Sequence, residues 1–361
     1  MTAAGVQLAL DRLPDPVLLV QVRAGDVRIL YGNVAARQRL RLSGNQPPLE
    51  AVIRQPQVLD AVAQAAGGHD VEVAFETIAV QPRFWRAFIR PLEGDEVMLV
   101  LRDETDARRT ERMRGDFLAN ASHELRTPLA ALAGFIATLQ GTARDDAEAW
   151  ERFLRIMAEQ AGRMTRLVDD LLSLSRIELN EHVPPLGEVD LAEVARDVAE
   201  ATRPLGASRG VLIELAISGQ LVVTADRDQL AQVVQNLLAN AVKYSPANGV
   251  VRVSLEGPVL PETARGPTRT GAVGLSLLTP DTEAEGRYGM LRVVDDGPGM
   301  ARQHLPRLSE RFYRVEGQST GGTGLGLAIV KHVVNRHRGG LQVESAEGVG
   351  TTFTVYLPLV R

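Results

Sequence analysis

Cysteine is absent from this chain of 361 residues. That gap excludes disulfides, thiolate zinc sites, iron–sulfur clusters and a cysteinyl–flavin photosensor. Lysine occurs only as Lys243 and Lys331, and neither follows a glycine, so the Gly-Lys pair of a Walker-type phosphate loop cannot be made. No apolar run approaches the ~18 residues of a membrane span, and no signal-peptide pattern opens the chain. A cytoplasmic protein without a transmembrane segment is expected. A formal charge of −5 leaves no basic footprint, so direct nucleic-acid binding is not expected. Hydrophobic residues at 45% suffice for ordinary cores, and the length suggests two or three domains.

What is present centres on Phe117–Leu129. Leu118, Leu125, Leu132 and Leu139 recur every seven residues, with Ala121, Leu129 and Ile136 between them. This is the apolar seam of an amphipathic helix. At about 100° per residue, His123 points roughly 140–160° away from Leu118 and Leu125, toward water. Thr127 shares that face one turn on. A solvent-facing imidazole beside Glu124 is a candidate nucleophile, with the carboxylate as base or orienting partner. Pro128 cannot donate to the Glu124 carbonyl, so the helix is expected to bend or loosen there. His-Glu-x-x-Thr is not the zinc-protease His-Glu-x-x-His, which removes a metalloprotease. Ser122-His-Glu-Leu-Arg-Thr-Pro-Leu129 resembles the phosphoacceptor box of the sensor histidine kinases.

Ahead of it, Leu8–Leu101 reads as a small α+β domain. Val17–Val22 and Val27–Leu30 are strand runs around an Ala24-Gly25-Asp26 turn, and Asn33 stands as a cap before a helix over Val34–Leu42. Val71–Phe75, Phe84–Ile89 and Val97–Leu101 add three strands. His69, beside Gly67 and Gly68, reads as a loop residue rather than a haem ligand. Leu13-Pro-Asp-Pro-Val17, Ile29-Leu-Tyr-Gly-Asn33 and Asp103-Glu-Thr105 resemble a PAS sensory domain and its exit motif. A packing or dimerisation module without ligand fits the same pattern. The charged run Asp103–Phe117 reads as a solvated helix leading into the His123 helix.

A second helix follows Gly141-Thr142, with Asp145 and Asp146 as caps. Phe153, Met157, Gln160, Met164, Leu167, Leu171 and Leu174 form its seam, and Leu154, Val168 and Leu172 widen the stripe. One hairpin cannot bury both stripes but two make a four-helix bundle, so a homodimer is expected. Val183-Pro-Pro185 ends the helix.

From Gly187 to Arg361 strands and helices mix into a two-layer α/β sandwich. Val211–Ile217, Leu221–Val223, Val250–Leu255, Met290–Val294 and a hairpin of Leu341–Glu344 with Thr351–Leu357 are its strands. Its helices run over Asp228–Lys243 and from near Leu325. Asn236 and Asn240 share a helix face with Lys243, and amide oxygens suit Mg²⁺ while the ammonium neutralises phosphate. Asp295-Asp-Gly297-Pro-Gly299 follows a strand, where an aspartate can accept from an adenine amino group and glycines permit close approach. Gly321-Gly322-Thr323-Gly324-Leu325-Gly326-Leu327 opens a helix whose amides suit phosphate. It lacks the G-x-G-x-x-G spacing of a dinucleotide fold, and Gly348-Val-Gly-Thr351 fits a simple hairpin turn. The stretch 257–289 is too long for a hairpin loop and reads as an excursion without a role in chemistry, or as a partner-docking element.

In this order the motifs resemble the ATP-binding domain shared by histidine kinases, Hsp90-type chaperones, type II topoisomerases and mismatch-repair ATPases. The resemblance implies Mg²⁺ on Asn236 and Asn240. It implies ATP against those residues, Lys243, Tyr244, Asp295, Gly297, Gly299, Phe312, Gly322, Thr323, Gly324, Leu325, Gly326 and Thr351. Glu310–Arg314 matches a further motif, with Phe312 near the lid. Together with the His123 box, the layout is similar to PAS-containing sensor kinases, most of all phosphate-regulon sensors. Three domains are expected: 1–104 sensory, 105–182 dimerisation and phosphotransfer, 183–361 ATP-binding. His123, Glu124 and Thr127 are the expected catalytic residues, and a response regulator receiver domain the expected partner, with Glu124-x-x-Thr127 implying regulator dephosphorylation. An ATPase of the chaperone or topoisomerase class and a non-enzymatic scaffold remain as rivals.

Overall fold

The computed structural model describes residues 3–23, 26–42, 46–77, 82–144, 146–217, 219–260, 271–280, 287–315 and 322–360. Its contacts divide the chain into two units, Met1–Ala119 and Asn120–Arg361.

The first unit runs α1 (Ala3–Asp11), β1 (Val17–Arg23), β2 (Asp26–Gly32), α2 (Val34–Arg39), α3 (Pro56–Ala66), β3 (Val71–Thr77), β4 (Arg83–Pro91) and β5 (Glu96–Asp103). The strands form one antiparallel sheet in the order β2-β1-β5-β4-β3. All five expected strands are found, and Asn33 does cap α2, although that helix ends at Arg39 rather than Leu42. Asn33 is buried. Its Oδ1 accepts from the Val17 and Ala36 amides, and its Nδ2 donates to the Leu10 and Asp15 carbonyls. One amide thereby ties α1, β1 and α2 together. The unanticipated α3 begins with proline at its first turn and buries Val58, Ala61, Val62 and Ala65 against the sheet.

At the exit from β5, every residue of Asp103-Glu104-Thr105 has a partner on β4. Asp103 pairs with Arg83 at 3.1 Å, Glu104 takes Arg86 at 2.6 and 3.2 Å, and Thr105 Oγ1 accepts from the Phe84 amide. The arginine holds the Glu104 carboxyl below its ordinary range. The first turn of α4 (Thr105–Gln140) is thus fastened to the sheet. This helix continues through Pro128 as one element of 36 residues, so the expected loosening does not break it.

In the second unit, α5 (Ala147–Leu179) is capped by Asp146; the other expected cap, Asp145, lies outside the described residues. There follow β6 (Glu188–Asp190), α6 (Leu191–Ser208), β7 (Leu212–Ala216), β8 (Val222–Thr224), α7 (Arg227–Tyr244), β9 (Val250–Val259), β10 (Val273–Leu278), β11 (Tyr288–Asp295), α8 (Gly326–Arg336), β12 (Gly340–Ala346) and β13 (Gly350–Pro358). Six strands form a sheet in the order β10-β12-β13-β11-β9-β7, with only β7–β9 parallel. Helices α6, α7 and α8 pack on one another and on that sheet. The sandwich is as expected, with two corrections. The helix α6 was not foreseen, though Asp190 caps it and Glu193 follows three residues on, a capping signature. The stretch 257–289 is no mere excursion, because β10 lies within it and extends the sheet by pairing with β12. The ladder satisfies the backbone of β10 along an edge of β12 that would otherwise be unpaired. Residues 261–270 and 281–286 of that stretch lie outside the described ones.

The hairpin leaves much of both apolar stripes uncovered, as expected. Part of the α5 stripe is covered within the chain itself: Leu167, Leu174 and Ile177 are buried, and α5 packs against α8. Leu118 of α4 stays 65% exposed, with Leu129, Ile136, Leu154, Val168 and Leu172 also exposed. Phe135 and Phe153 stack at 5.2 Å across the two helices.

His337, buried at the end of α8, joins it to the start of α7. Its Nδ1 faces the Val333 carbonyl at 2.8 Å and its Nε2 accepts from the Asp226 amide at 3.1 Å. Those partners require the neutral ring, and burial lowers its pKa from the ordinary value. The unfolded chain therefore takes up the proton first, and stability falls as pH drops through about 6.5. Thermal melts between pH 8 and pH 5 should show this loss, and His337→Gln should flatten it.

Candidate active site

Helix α7 is amphipathic in the strict sense. Leu230, Val233, Val234, Leu237, Leu238, Ala241 and Val242 are buried, while Asn236, Asn240 and Lys243 line a cavity of about 420 Å³ on the opposite face. The amide of Asn236 is turned by its own helix: Nδ2 donates to the Gln232 carbonyl at 3.0 Å. Its Oδ1 faces the start of α8, where a Cβ on Gly326 would stand 2.7 Å away. A side chain at that position would force the Asn236 amide to shift. Lys243 Nζ lies 2.9 Å from the Tyr244 hydroxyl and over its ring.

Opposite α7, Asp295 ends β11 and is buried at the cavity wall. Its Oδ1 accepts from the Gly297 amide at 2.9 Å and the Thr351 amide at 3.3 Å. The carboxylate is thereby fixed by a tight turn and by β13, its ladder partner. Gly299 has φ +65°, and a Cβ there would fall 1.8 Å from the Ala346 carbonyl oxygen, so the turn is pressed onto the β12–β13 hairpin. The Gly348 amide completes that contact by donating to Pro298. The hairpin turn is thus part of the site's frame.

The lid side is held by backbone as well. The Phe312 amide donates to the Gly324 carbonyl at 2.9 Å. Thr323 Oγ1 accepts from the Leu325 amide. Gly322, Thr323, Gly324, Gly326 and Thr351 border the cavity, whereas Gly297, Phe312 and Leu325, also expected at the site, do not line it. Gly321 lies outside the described residues. Sequence reasoning missed the wall contributed by α5, namely Arg166, Asp169 and Asp170. None of the three belongs to the apolar seam by which the helix was recognised.

His123 and Thr127 are exposed on α4, and neither they nor Glu124 line the cavity. Glu124 is not turned to the imidazole: its Oε2 pairs with Arg163 of α5 at 2.9 Å. Thr127 Oγ1 donates to the His123 carbonyl at 3.2 Å. Arg166, at the cavity, follows Arg163 by three residues, ~4.5 Å of helix rise.

Two family profiles match the chain. The "His Kinase A (phospho-acceptor) domain" covers residues 113–180, and the "Histidine kinase-, DNA gyrase B-, and HSP90-like ATPase" covers 225–361. The chain is 33% identical over 358 residues to the phosphate regulon sensor protein PhoR of Pseudomonas aeruginosa, covering 97% of this chain and 73% of that protein. The chain belongs to the sensor histidine kinases. The sensor-like histidine kinase SenX3 of Mycobacterium tuberculosis is 31% identical over 318 residues, 84% of this chain and 70% of that one. Among solved structures, histidine kinase ThkA in complex with response regulator protein TrrA aligns over 98% of both chains with a TM-score of 0.50. At 17% identity it speaks for the fold alone. This sensor kinase is accordingly an ATP-dependent histidine kinase with a helical phosphoacceptor region and an α/β ATPase domain. None of its described helices is long and apolar enough to cross a membrane.

Asp295→Asn should weaken ATP binding by about tenfold or more, because a carboxylate accepting two backbone amides is replaced by a group that also donates. Gly326→Ala should weaken it too, by pushing the helix start off Asn236. Calorimetric titration with a non-hydrolysable ATP analogue measures both.

Proposed function

We propose that the kinase phosphorylates its own His123 from ATP held in the α7–β11–α8 cavity and passes the phosphoryl group to an aspartate of a separate response regulator. The observation that carries this reading is one cavity uniting Asn236, Asn240, Lys243, Asp295 and the start of α8, in a chain that also exposes the His123 box on α4. A neutral imidazole nitrogen attacks the γ-phosphorus, the bond to the β-phosphate oxygen breaks, and ADP leaves. Glu124 takes the ring proton or orients the ring, once turned from Arg163. Lys243 and the α8 amides offset charge on the phosphates.

The donor set fits Mg²⁺. Asn236 and Asn240 offer hard amide oxygens one helical turn apart on one wall, and so few protein ligands suit an ion that keeps water and phosphate oxygens. Bound there, the ion supplies charge neutralisation at the triphosphate.

The exposed apolar residues of α4 and α5 support a homodimer in which two hairpins complete a four-helix bundle. The division into residues 1–104, 105–182 and 183–361 is part of the same proposal. So is a PAS-type sensory role for the first of these, supported by its antiparallel five-stranded sheet and the fastened Asp103–Thr105 exit. ATP as substrate and a receiver domain as partner favour work in the cytoplasm.

Thr127, on the exposed face with His123, is assigned to the reverse step, holding a water against the regulator's phospho-aspartate. Its hydroxyl keeps acceptor capacity while donating to the His123 carbonyl. Incubation with γ-labelled ATP should give an acid-labile, base-stable label that His123→Ala abolishes. Thr127→Ala should keep that label while slowing regulator dephosphorylation. A labelled His123→Ala protein contradicts the assignment.

A further inference from the structure

The wall contributed by α5 has no place in the reaction described above, yet it touches the lid. Thr323 stands between Gly322 and Gly324, a segment with little of its own to hold it in one conformation. Its hydroxyl donates to Asp170 Oδ2 at 2.7 Å and accepts from the Leu325 amide at 3.3 Å. Leu325 caps α8, and the first amides of a helix are where an anionic phosphate is received. One carboxylate of the phosphoacceptor hairpin is therefore connected, through one hydroxyl, to the phosphate end of the nucleotide site.

We propose that Asp170 is a positioning residue for the nucleotide site, acting through Thr323 on the start of α8, so that ATP affinity depends on the seating of α5. This rests on reading the cavity as the ATP site. Other contacts maintain the same seating: Ser173 Oγ donates to Gln232 of α7, Glu178 pairs with Arg311, and Glu181 accepts from Asn335. Burial pushes the Asp170 carboxyl up from its ordinary range, and the Thr323 hydroxyl opposes that shift. The opposing effect is charge. Asp169 and Asp170 both face the cavity and would repel a triphosphate, a cost that the anchoring of Thr323 outweighs. Linkage makes the coupling reciprocal: ATP favours this seating of α5, and any movement of α5 driven from upstream lowers ATP affinity.

The test uses the full chain and equilibrium binding of a non-hydrolysable ATP analogue with Mg²⁺. Thr323→Val and Asp170→Ala should each weaken binding about fivefold or more. The double variant should bind no worse than the weaker single one, and Thr323→Ser should restore affinity. In autophosphorylation the loss should appear in KM for ATP rather than in kcat, with melting curves verifying that each variant folds. Unchanged or tighter binding in either single variant, or losses that add, would overturn the role of Asp170. Wild-type protein that binds no analogue would overturn the nucleotide reading itself, a result distinct from uncoupled variants of a protein that binds.

Discussion

The catalytic half of this kinase depends on the two faces of α7. Seven buried aliphatic residues fasten one face to the sheet and the neighbouring helices, and full burial of each leucine or valine among them contributes roughly 1.5–3 kcal/mol. That burial fixes the rotation of the helix, so Asn236, Asn240 and Lys243 are presented to the cavity, with the Gln232 carbonyl and Tyr244 orienting the first and last of them. The polar face is a by-product of the apolar one. Everything else in the site is brought to it: the Asp295 turn by the β11–β13 ladder, and the start of α8 by a glycine that tolerates contact with Asn236.

Helix α5 answers to two different partners. Its C-terminal part is spent on the ATP-binding domain, through buried Leu174 and Ile177 and through the ion pair of Glu178 with Arg311. Its N-terminal part stacks Phe153 on Phe135 of α4, and Leu154 remains in solvent. A helix divided in this way couples the phosphoacceptor hairpin to the nucleotide domain by packing, before any ligand is considered. The pairing of Glu124 with Arg163 has the same character. The guanidinium holds that carboxylate away from the His123 ring, and movement of α5 changes the restraint.

Much of the site was legible in the sequence because its chemistry is carried by contiguous residues. The His123 box, Asn236-x-x-x-Asn240, Asp295-x-Gly-x-Gly and the lid glycines are each local, and a turn or a helix face suffices to interpret them. What was not legible depends on tertiary pairing. β10 becomes a strand because β12 offers an edge, and the residues at 273–278 alone do not announce it. Arg163 and Asp170 occupy unremarkable polar positions on α5, and only the fold turns one toward Glu124 and the other toward Thr323. α6 is a different case, since Asp190 and Glu193 carry a capping signal that is readable in the sequence.

The account is tested most directly by the structure of the full chain bound to a non-hydrolysable ATP analogue and Mg²⁺. It predicts the adenine amino group at the Asp295 carboxylate, with the triphosphate between the asparagine face of α7 and the start of α8. An analogue seated anywhere else, or a cavity left empty at saturating analogue, would contradict it.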